Sequence, residues 1–261
     1  MQKDFRIGLI GEGAIGAYVA RELAARGLEA WPRIVRSGGE RNGEGLRVTC
    51  VDELPNDTTL MIDCAGHAAL AEHGPAILER GIDLLTVSLG ALADTALHKR
   101  LEQAARAGGA RLHLASGAIG ALDCLQAARV GGLDRVRYIG RKPPRGWMGS
   151  PAENMLDLDR LAQAATHFAG TARQAATDYP KNANVAAAVA LAGIGFQHTQ
   201  VELIADPAIT ANVHEIEASG AFGRFTFHIE GSALPDNPKS SALAAMSVVA
   251  ALERQRAAIT I

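Results

Sequence analysis

An apolar run that ends in a glycine turn and then opens a helix leaves a chain few folds to adopt, and this chain begins with one. Phe5-Arg6-Ile7-Gly8-Leu9-Ile10 leads into Gly11-Glu12-Gly13-Ala14-Ile15-Gly16. Strand, GxGxxG turn and helix in that order open a dinucleotide-binding βαβ unit. Gly11 permits the tight turn, Gly13 lets backbone approach a pyrophosphate, and Gly16 lets the helix pack on the strand. The free N–H groups of the first turn, around Ala14 and Ile15, then face phosphate charge.

The alternation continues. From residue 5 to about 115, apolar runs at Arg6–Ile10, Trp31–Val35, Arg47–Val51, Leu60–Cys64, Leu84–Ser88 and Arg111–Ala115 read as strands. Helical patterns lie at Ile15–Arg26, Ala68–Arg80 and Thr95–Ala107, with Gly81 and Gly108-Gly109 as stops. Strands alternating with helices predict an α/β fold with a parallel sheet, an N-terminal Rossmann domain. Beyond residue 118 the pattern changes. Val136–Arg141 reads as a strand, followed by a loop rich in Pro and Gly up to Pro151 that has the composition of a mobile segment. Met155, Leu158, Leu161, Ala165 and Phe168 recur at helical spacing, and Ala183–Ile194 is an alanine-rich helix. Gln200–Ala205, Ala211–Ala218 and Arg224–Gly231 fit an antiparallel sheet with a hairpin turn over Ser219–Gly223, and Ser240–Ala258 is helical. The division expected is residues 1–118 as the dinucleotide domain, rejoined by a C-terminal helix over 239–261. Residues 119–238 form an α+β substrate and dimerisation domain, with the active site in the cleft between the two.

Composition narrows the function. The 261 residues are 48% hydrophobic and carry a formal charge of −2, so no concentrated basic face exists for nucleic acid or an anionic membrane. No apolar run is long enough to span a bilayer. Cys50, Cys64 and Cys124 have no metal-like spacing and read as reduced, buried thiols of a cytoplasmic protein. CxxC, HExxH, nucleophile-elbow and P-loop patterns are missing, so neither metal hydrolysis nor serine catalysis has support and no metal is expected.

Three predicted strands end in small residues: Asp63-Cys64-Ala65-Gly66-His67, Ser88-Leu89-Gly90-Ala91-Leu92 and Ser116-Gly117-Ala118-Ile119-Gly120. Ligands bind at the carboxyl ends of parallel strands, where small residues let a ring and a ribose lie against backbone; each alone also reads as an ordinary βα turn. His67 is either a hydrogen-bonding group at a strand end or part of the substrate site. In Tyr179-Pro180-Lys181-Asn182-Ala183-Asn184, Asn182 or Asn184 either caps the helix that follows or holds a carboxylate or the nicotinamide amide near Lys181. Along Asn212-Val213-His214-Glu215-Ile216, strand alternation puts His214 on an otherwise apolar face with Ile216. An imidazole that titrates near 6.5 makes His214 the best general acid or base, against the alternative of a satisfied core histidine. The histidines at 73, 98, 113, 167, 198 and 228 have plainer contexts.

Taken together, GEGAIG (11–16), DCAGH (63–67), SLGAL (88–92), SGAIG (116–120), GRKPP (140–144), YPKNANVAA (179–187), NVHEIEASGAFG (212–223) and NPKSSALAAMSVVAAL (237–252) resemble the L-aspartate dehydrogenase family along nearly the whole chain. The resemblance implies reversible NAD- or NADP-dependent oxidative deamination of L-aspartate to oxaloacetate and ammonia through iminoaspartate, and a homodimer. It implies His214 as catalytic and Ala118 and Asn184 as cofactor contacts, beside Gly11, Gly13, Ala14, Ile15, Gly16, Ala65 and Gly66. Asn182, Lys181 and His67 are the substrate candidates, with His214 accepting a proton from the substrate ammonium or from attacking water. Lys181, Lys142 or Lys239 would pair with substrate carboxylates. One departure stands out: Arg33-Ile34-Val35-Arg36-Ser37 has no carboxylate where a NAD-selective fold places one, so Arg36 is expected to admit a 2′-phosphate. The competing readings are another two-domain reductase, of dihydrodipicolinate-reductase or homoserine-dehydrogenase type, and a nucleotide sensor without turnover.

Overall fold

The computed structural model describes residues 6–36, 45–180, 182–235 and 237–260, the side chains at 238 and 239 excepted. It divides into two compact units, residues 1–117 with 244–261, and residues 118–243.

In the first unit β1 (Ile7–Ile10), β2 (Ala30–Ile34), β3 (Arg47–Val48), β4 (Leu60–Asp63), β5 (Asp83–Thr86) and β6 (Leu112–Leu114) form a parallel sheet in the order β3-β2-β1-β4-β5-β6. The strands are connected through α1 (Ala14–Ala24), α2 (His67–Glu79) and α3 (Thr95–Gly108). β1 and β4 are buried at every residue, because helices cover a parallel sheet on both faces, so they read as continuous apolar runs. Asp94 caps α3, its Oδ1 accepting from Ala96 N at 2.8 Å, and Gly109 closes it at φ 64°. The last helix, α7 (Ala242–Arg256), places Val248, Val249 and Leu252 in the core with Ile7, Leu9, Leu60 and Ile62. Each such side chain contributes on the order of 1.5–3 kcal/mol by leaving water. Ser247 Oγ also accepts from Gly117 N at 3.0 Å.

The second unit holds α4 (Leu122–Gly131), β7 (Leu133–Lys142), β8 (Ala165–Thr171), α5 (Ala172–Asp178), α6 (Asn184–Ala192), β9 (Gln200–Ala205), β10 (Asn212–Gly220) and β11 (Gly223–Gly231). A two-stranded ribbon of β12 (Ala233–Leu234) and β13 (Asn237–Ser241) follows. The main sheet runs β11-β10-β7-β9-β8 and is mixed, since β7 and β9 are parallel. The three strands expected to be antiparallel do alternate in direction, but β7 stands between β9 and β10 and is parallel to β9, because β8, α5 and α6 carry the chain from β7 round to β9. β10 and β11 join through Ala221-Phe222, with Gly220 opposite Gly223.

Three further expectations are corrected. The spacing of Met155, Leu158, Leu161, Ala165 and Phe168 marks no helix: Pro151–Asn154 is a single 3₁₀ turn, and Ala165–Thr171 is the edge strand β8. Bonding to β9 overrides the local apolar period there. The Pro/Gly loop is anchored, for Trp147 is 1% exposed and its Nε1–H donates to Ile204 O at 2.9 Å. Cys50 and Cys124 are exposed and Cys64 is partly buried, because the first two fall at a strand exit and on the outer side of α4. Among the described residues no helix is long and apolar enough to cross a membrane.

Candidate active site

In the first unit the chemistry is carried by backbone. Gly11 sits at φ 88°, and a Cβ there would lie 2.8 Å from Ala65 Cβ. At Gly16 a Cβ would lie 2.5 Å from Gly11 O, so turn and helix close on each other only as glycines. Gly13 differs: nothing lies within 4 Å of where its Cβ would be. It is the N-cap of α1 and gives no side-chain cap, and the first turn has no acidic residue. The N–H groups of Ala14, Ile15 and Gly16 are thus presented through an open approach, the donor set a pyrophosphate requires.

The β4–α2 turn is built the same way. Asp63, fully buried, accepts from Thr86 Oγ1 and Ser88 Oγ, both at 2.7 Å, and from Ala65 N at 2.9 Å. Burial raises its pKa, opposed by hydrogen bonds from Ser88, Thr86 and the Ala65 and Gly66 amides. This clasp binds the ends of β4 and β5 and sets Gly66 at φ 96° as the uncapped start of α2. Ala65 is exposed, Gly66 and His67 are partly buried, and His67 is the first residue of α2. A dinucleotide fits these small, open strand ends.

Arg36 lies just past β2 and is exposed. A second basic feature is nearer the glycine turn. Arg33 and Arg47, paired across β2 and β3, both bind Glu12 Oε1, at 3.0 and 2.8 Å. Despite desolvation, these hydrogen bonds hold the Glu12 carboxyl below its usual range.

In the second unit side chains do the work. β7 and β10 set His214 opposite Gly140 and Ile216 opposite Tyr138. His214 is 5% exposed, and its Nδ1 is 2.8 Å from Tyr138 Oη. Burial, and then the positive charge of Lys142, push its pKa down to about 4. The expectation of an imidazole poised near 6.5 is therefore corrected: His214 is neutral at pH 7. Lys142, the last residue of β7, donates from Nζ to Asn182 Oδ1 at 2.6 Å and sits 4.9 Å over the Trp147 ring. Burial lowers its pKa to about 8.

Asn182 is therefore a lysine partner, and the N-cap of α6 is Ala183, without a side-chain cap. Asn184 is the first residue of α6 and Ala118 the first of this unit. Lys142, Asn182, His214 and Tyr138 come together. Lys181 and the Lys239 side chain lie outside the described residues.

His167, passed over in the sequence, is also buried, with Nδ1 3.1 Å from Tyr179 Oη and its ring 4.4 Å from that of Trp147. Burial and Lys142 bring it to about 4 as well. Lys142 is among the sequence's candidate carboxylate partners, whereas Tyr138 was legible only as an alternate residue on the face of β7 that meets His214.

A glycine-turn Rossmann unit joined to a mixed-sheet unit with a buried histidine and a partly buried lysine defines a nicotinamide-dinucleotide-dependent dehydrogenase. Two family models match, "Homoserine dehydrogenase, NAD binding domain" over residues 11–115 and "Aspartate dehydrogenase, C-terminal" over residues 123–255. The chain is 56% identical over 258 residues to the L-aspartate dehydrogenase of Ruegeria pomeroyi, covering 97% of this chain and 94% of that one. With the L-aspartate dehydrogenase of Pseudomonas aeruginosa it shares 55% over 265 residues, covering 97% and 98%. The crystal structure of aspartate dehydrogenase from Thermotoga maritima superposes with a TM-score of 0.78 at 27% identity, covering 98% and 99%. The chain belongs to the L-aspartate dehydrogenase family.

Proposed function

We propose that this enzyme catalyses the reversible NAD(P)-dependent oxidative deamination of L-aspartate, with His214 as the catalytic residue. The observation that carries this reading is the neutral His214 imidazole beside a partly buried ammonium, Lys142, in a chain that otherwise supplies a dinucleotide cradle. The bound nicotinamide supplies the hydride acceptor for the substrate Cα. The amides at the start of α1, with Ala65 and Gly66, would hold the cofactor, and Ala118 and Asn184 are further candidate contacts to it. Lys142, oriented by Asn182, pairs with a substrate carboxylate, its remaining N–H groups pointing away from Asn182 Oδ1. Lys181 and His67 are further substrate candidates in this reading. His214 then faces the carbon that passes from amine through imine to ketone.

The protein acts in this reading as a cytoplasmic homodimer, and its imine product is available to pyridine-nucleotide biosynthesis. The test is NAD(P)H absorbance at alkaline pH with L-aspartate against D-aspartate, L-glutamate and L-alanine, and in reverse from oxaloacetate and ammonia. L-Aspartate alone is expected to reduce the cofactor. His214→Ala is expected to lose about 10²–10³-fold in kcat with NADH affinity retained. Cofactor binding without turnover of any of these substrates would instead favour the sensor.

A further inference from the structure

We propose that Tyr138 is a positioning residue that holds His214 in its Nε2–H tautomer, so that the neutral imidazole donates a hydrogen bond to the oxygen on the reacting carbon of the substrate. The inference rests on the placement of His214 at that carbon.

The geometry begins in the register. Tyr138 and Gly140 are alternate residues of β7 and share a face, and His214 pairs with Gly140 on the neighbouring strand. The phenol therefore lies diagonally across Gly140 toward His214, which only a glycine allows: a Cβ at position 140 would come 2.6 Å from Tyr138 Oη and 3.1 Å from its Cζ. The two rings lie nearly parallel, at 23° with centroids 6.0 Å apart, and Oη meets Nδ1 at 2.8 Å.

That hydrogen bond has two possible polarities, and burial chooses between them. Tyr138 is 2% exposed, and Nδ1 is the only hydrogen-bond partner of its hydroxyl among the described residues. If Nδ1–H donated to the phenol oxygen, the phenol O–H would be left buried without an acceptor, a penalty that depopulates the arrangement by about tenfold or more. If the phenol donates, both groups are satisfied. Burial also raises the Tyr138 pKa, so the phenol keeps the proton it gives to the bond. Nδ1 is thereby fixed as the acceptor, and the ring proton resides on Nε2. Nε2 makes no hydrogen bond to any described residue.

A neutral N–H donor matches the chemistry. When the carbinolamine formed by adding water to iminoaspartate expels ammonia, the C–N bond breaks, the hydroxyl proton passes through solvent water to the departing nitrogen, and the oxygen on the former Cα becomes a carbonyl; in reverse, ammonia adds to that carbonyl and the proton returns from nitrogen to oxygen by the same water. Either way charge changes at this oxygen. A neutral imidazole with a settled tautomer polarises this oxygen while keeping its own proton on Nε2 throughout, so only the hydroxyl proton moves.

The experiment is nitrogen NMR of the full-length protein with ring-labelled histidine at neutral pH, assigned through His214→Ala, beside steady-state kinetics of Tyr138→Phe and Gly140→Ala. Wild type is expected to show an unprotonated Nδ1 and a protonated Nε2. Tyr138→Phe is expected to shift that signal toward mixed tautomers and to lower kcat about tenfold or more, with the KM for L-aspartate and NADH affinity within about twofold. Gly140→Ala, which keeps the phenol but displaces its hydroxyl, is expected to reproduce both effects. An Nδ1–H tautomer in wild type, or wild-type kcat in Tyr138→Phe, overturns the inference. The tautomer is read without substrate, so failure to turn over L-aspartate would instead count against the proposed function alone.

Discussion

The two units build their working parts from opposite materials. The first exposes backbone: Gly13 leaves its surroundings empty, and the amides of α1 face outward without a cap. The second relies on side chains, with His214 and Tyr138 buried, Lys142 partly buried beside them, and all three shifted by desolvation. A cradle for a polyanion gains from open N–H groups already positioned by a helix, whereas control over one carbon atom gains from a few groups in a low dielectric. Substitutions in the first unit should therefore act on cofactor affinity and those in the second on turnover or pH dependence.

Gly13→Val is the hardest test of that division. Gly13 has φ −69°, ordinary for any residue, and no atom lies near its missing Cβ, so the valine costs the fold little and fills only the approach to α1. NADH affinity measured by fluorescence titration is expected to fall about a hundredfold, some 2.7 kcal/mol, with Tm nearly unchanged. An equal loss of Tm would show the turn to be a structural element before it is a binding one.

This difference in material also decides what a reader of the sequence can see. A backbone that must adopt φ 88° at Gly11 and admit a close contact at Gly16 restricts residue identity at fixed spacing, so strand and GEGAIG turn together are visible in the twelve residues 5–16. His214 stood out as a polar residue on an apolar strand face. Tyr138 did not, and Lys142 stood out only as a candidate carboxylate partner, because both lie more than seventy residues away and reach His214 only through the pairing of β7 with β10. Asp63 reads as the end of an apolar strand, and its role as a clasp depends on Thr86 and Ser88 from the next strand. The helical reading of 155–168 failed for a related reason: the edge strand β8 takes its structure from β9, not from its own period.

The second test sharpens the contrast through pH. Lys142 faces Asn182 and the Trp147 ring, and its charge acts on His214 and His167. With its pKa lowered to about 8 by burial, it is an ammonium below that pH and an amine above it. Carboxylate binding that needs the cation must then weaken as pH rises. The dissociation constant of succinate, an unreactive dicarboxylate, is expected to rise about tenfold per pH unit above 8 in wild type. In Lys142→Met it is expected to be at least tenfold weaker at pH 7 and flat to pH 9, because the titrating cation is gone. A flat wild-type profile would remove Lys142 from the carboxylate site.

The smallest effect lies at the end of β2, where the first unit also relies on side chains. Arg33 and Arg47 share the Glu12 carboxylate, so two positive charges beside the glycine turn are offset by one negative. Arg36 is exposed and has no ion-pair partner among the described residues. A cofactor 2′-phosphate at this strand end would meet Arg36 in high dielectric, where one exposed charge pair contributes about 0.2–1 kcal/mol. Reversing the charge in Arg36→Asp is therefore expected to lower the NADP-to-NAD ratio of kcat/KM only about three- to tenfold. Salt should compress the effect, since exposed charges are screened within roughly 8 Å at physiological ionic strength. Arg47→Ala separates the two basic features. If the Glu12-bound pair carries the selectivity, Arg47→Ala shifts the ratio more than Arg36→Asp does, and cofactor choice then belongs to residues ordered by an internal carboxylate. If Arg36→Asp shifts it more, selectivity is a surface charge effect, and the open, solvent-facing character of the first unit extends to its choice of cofactor.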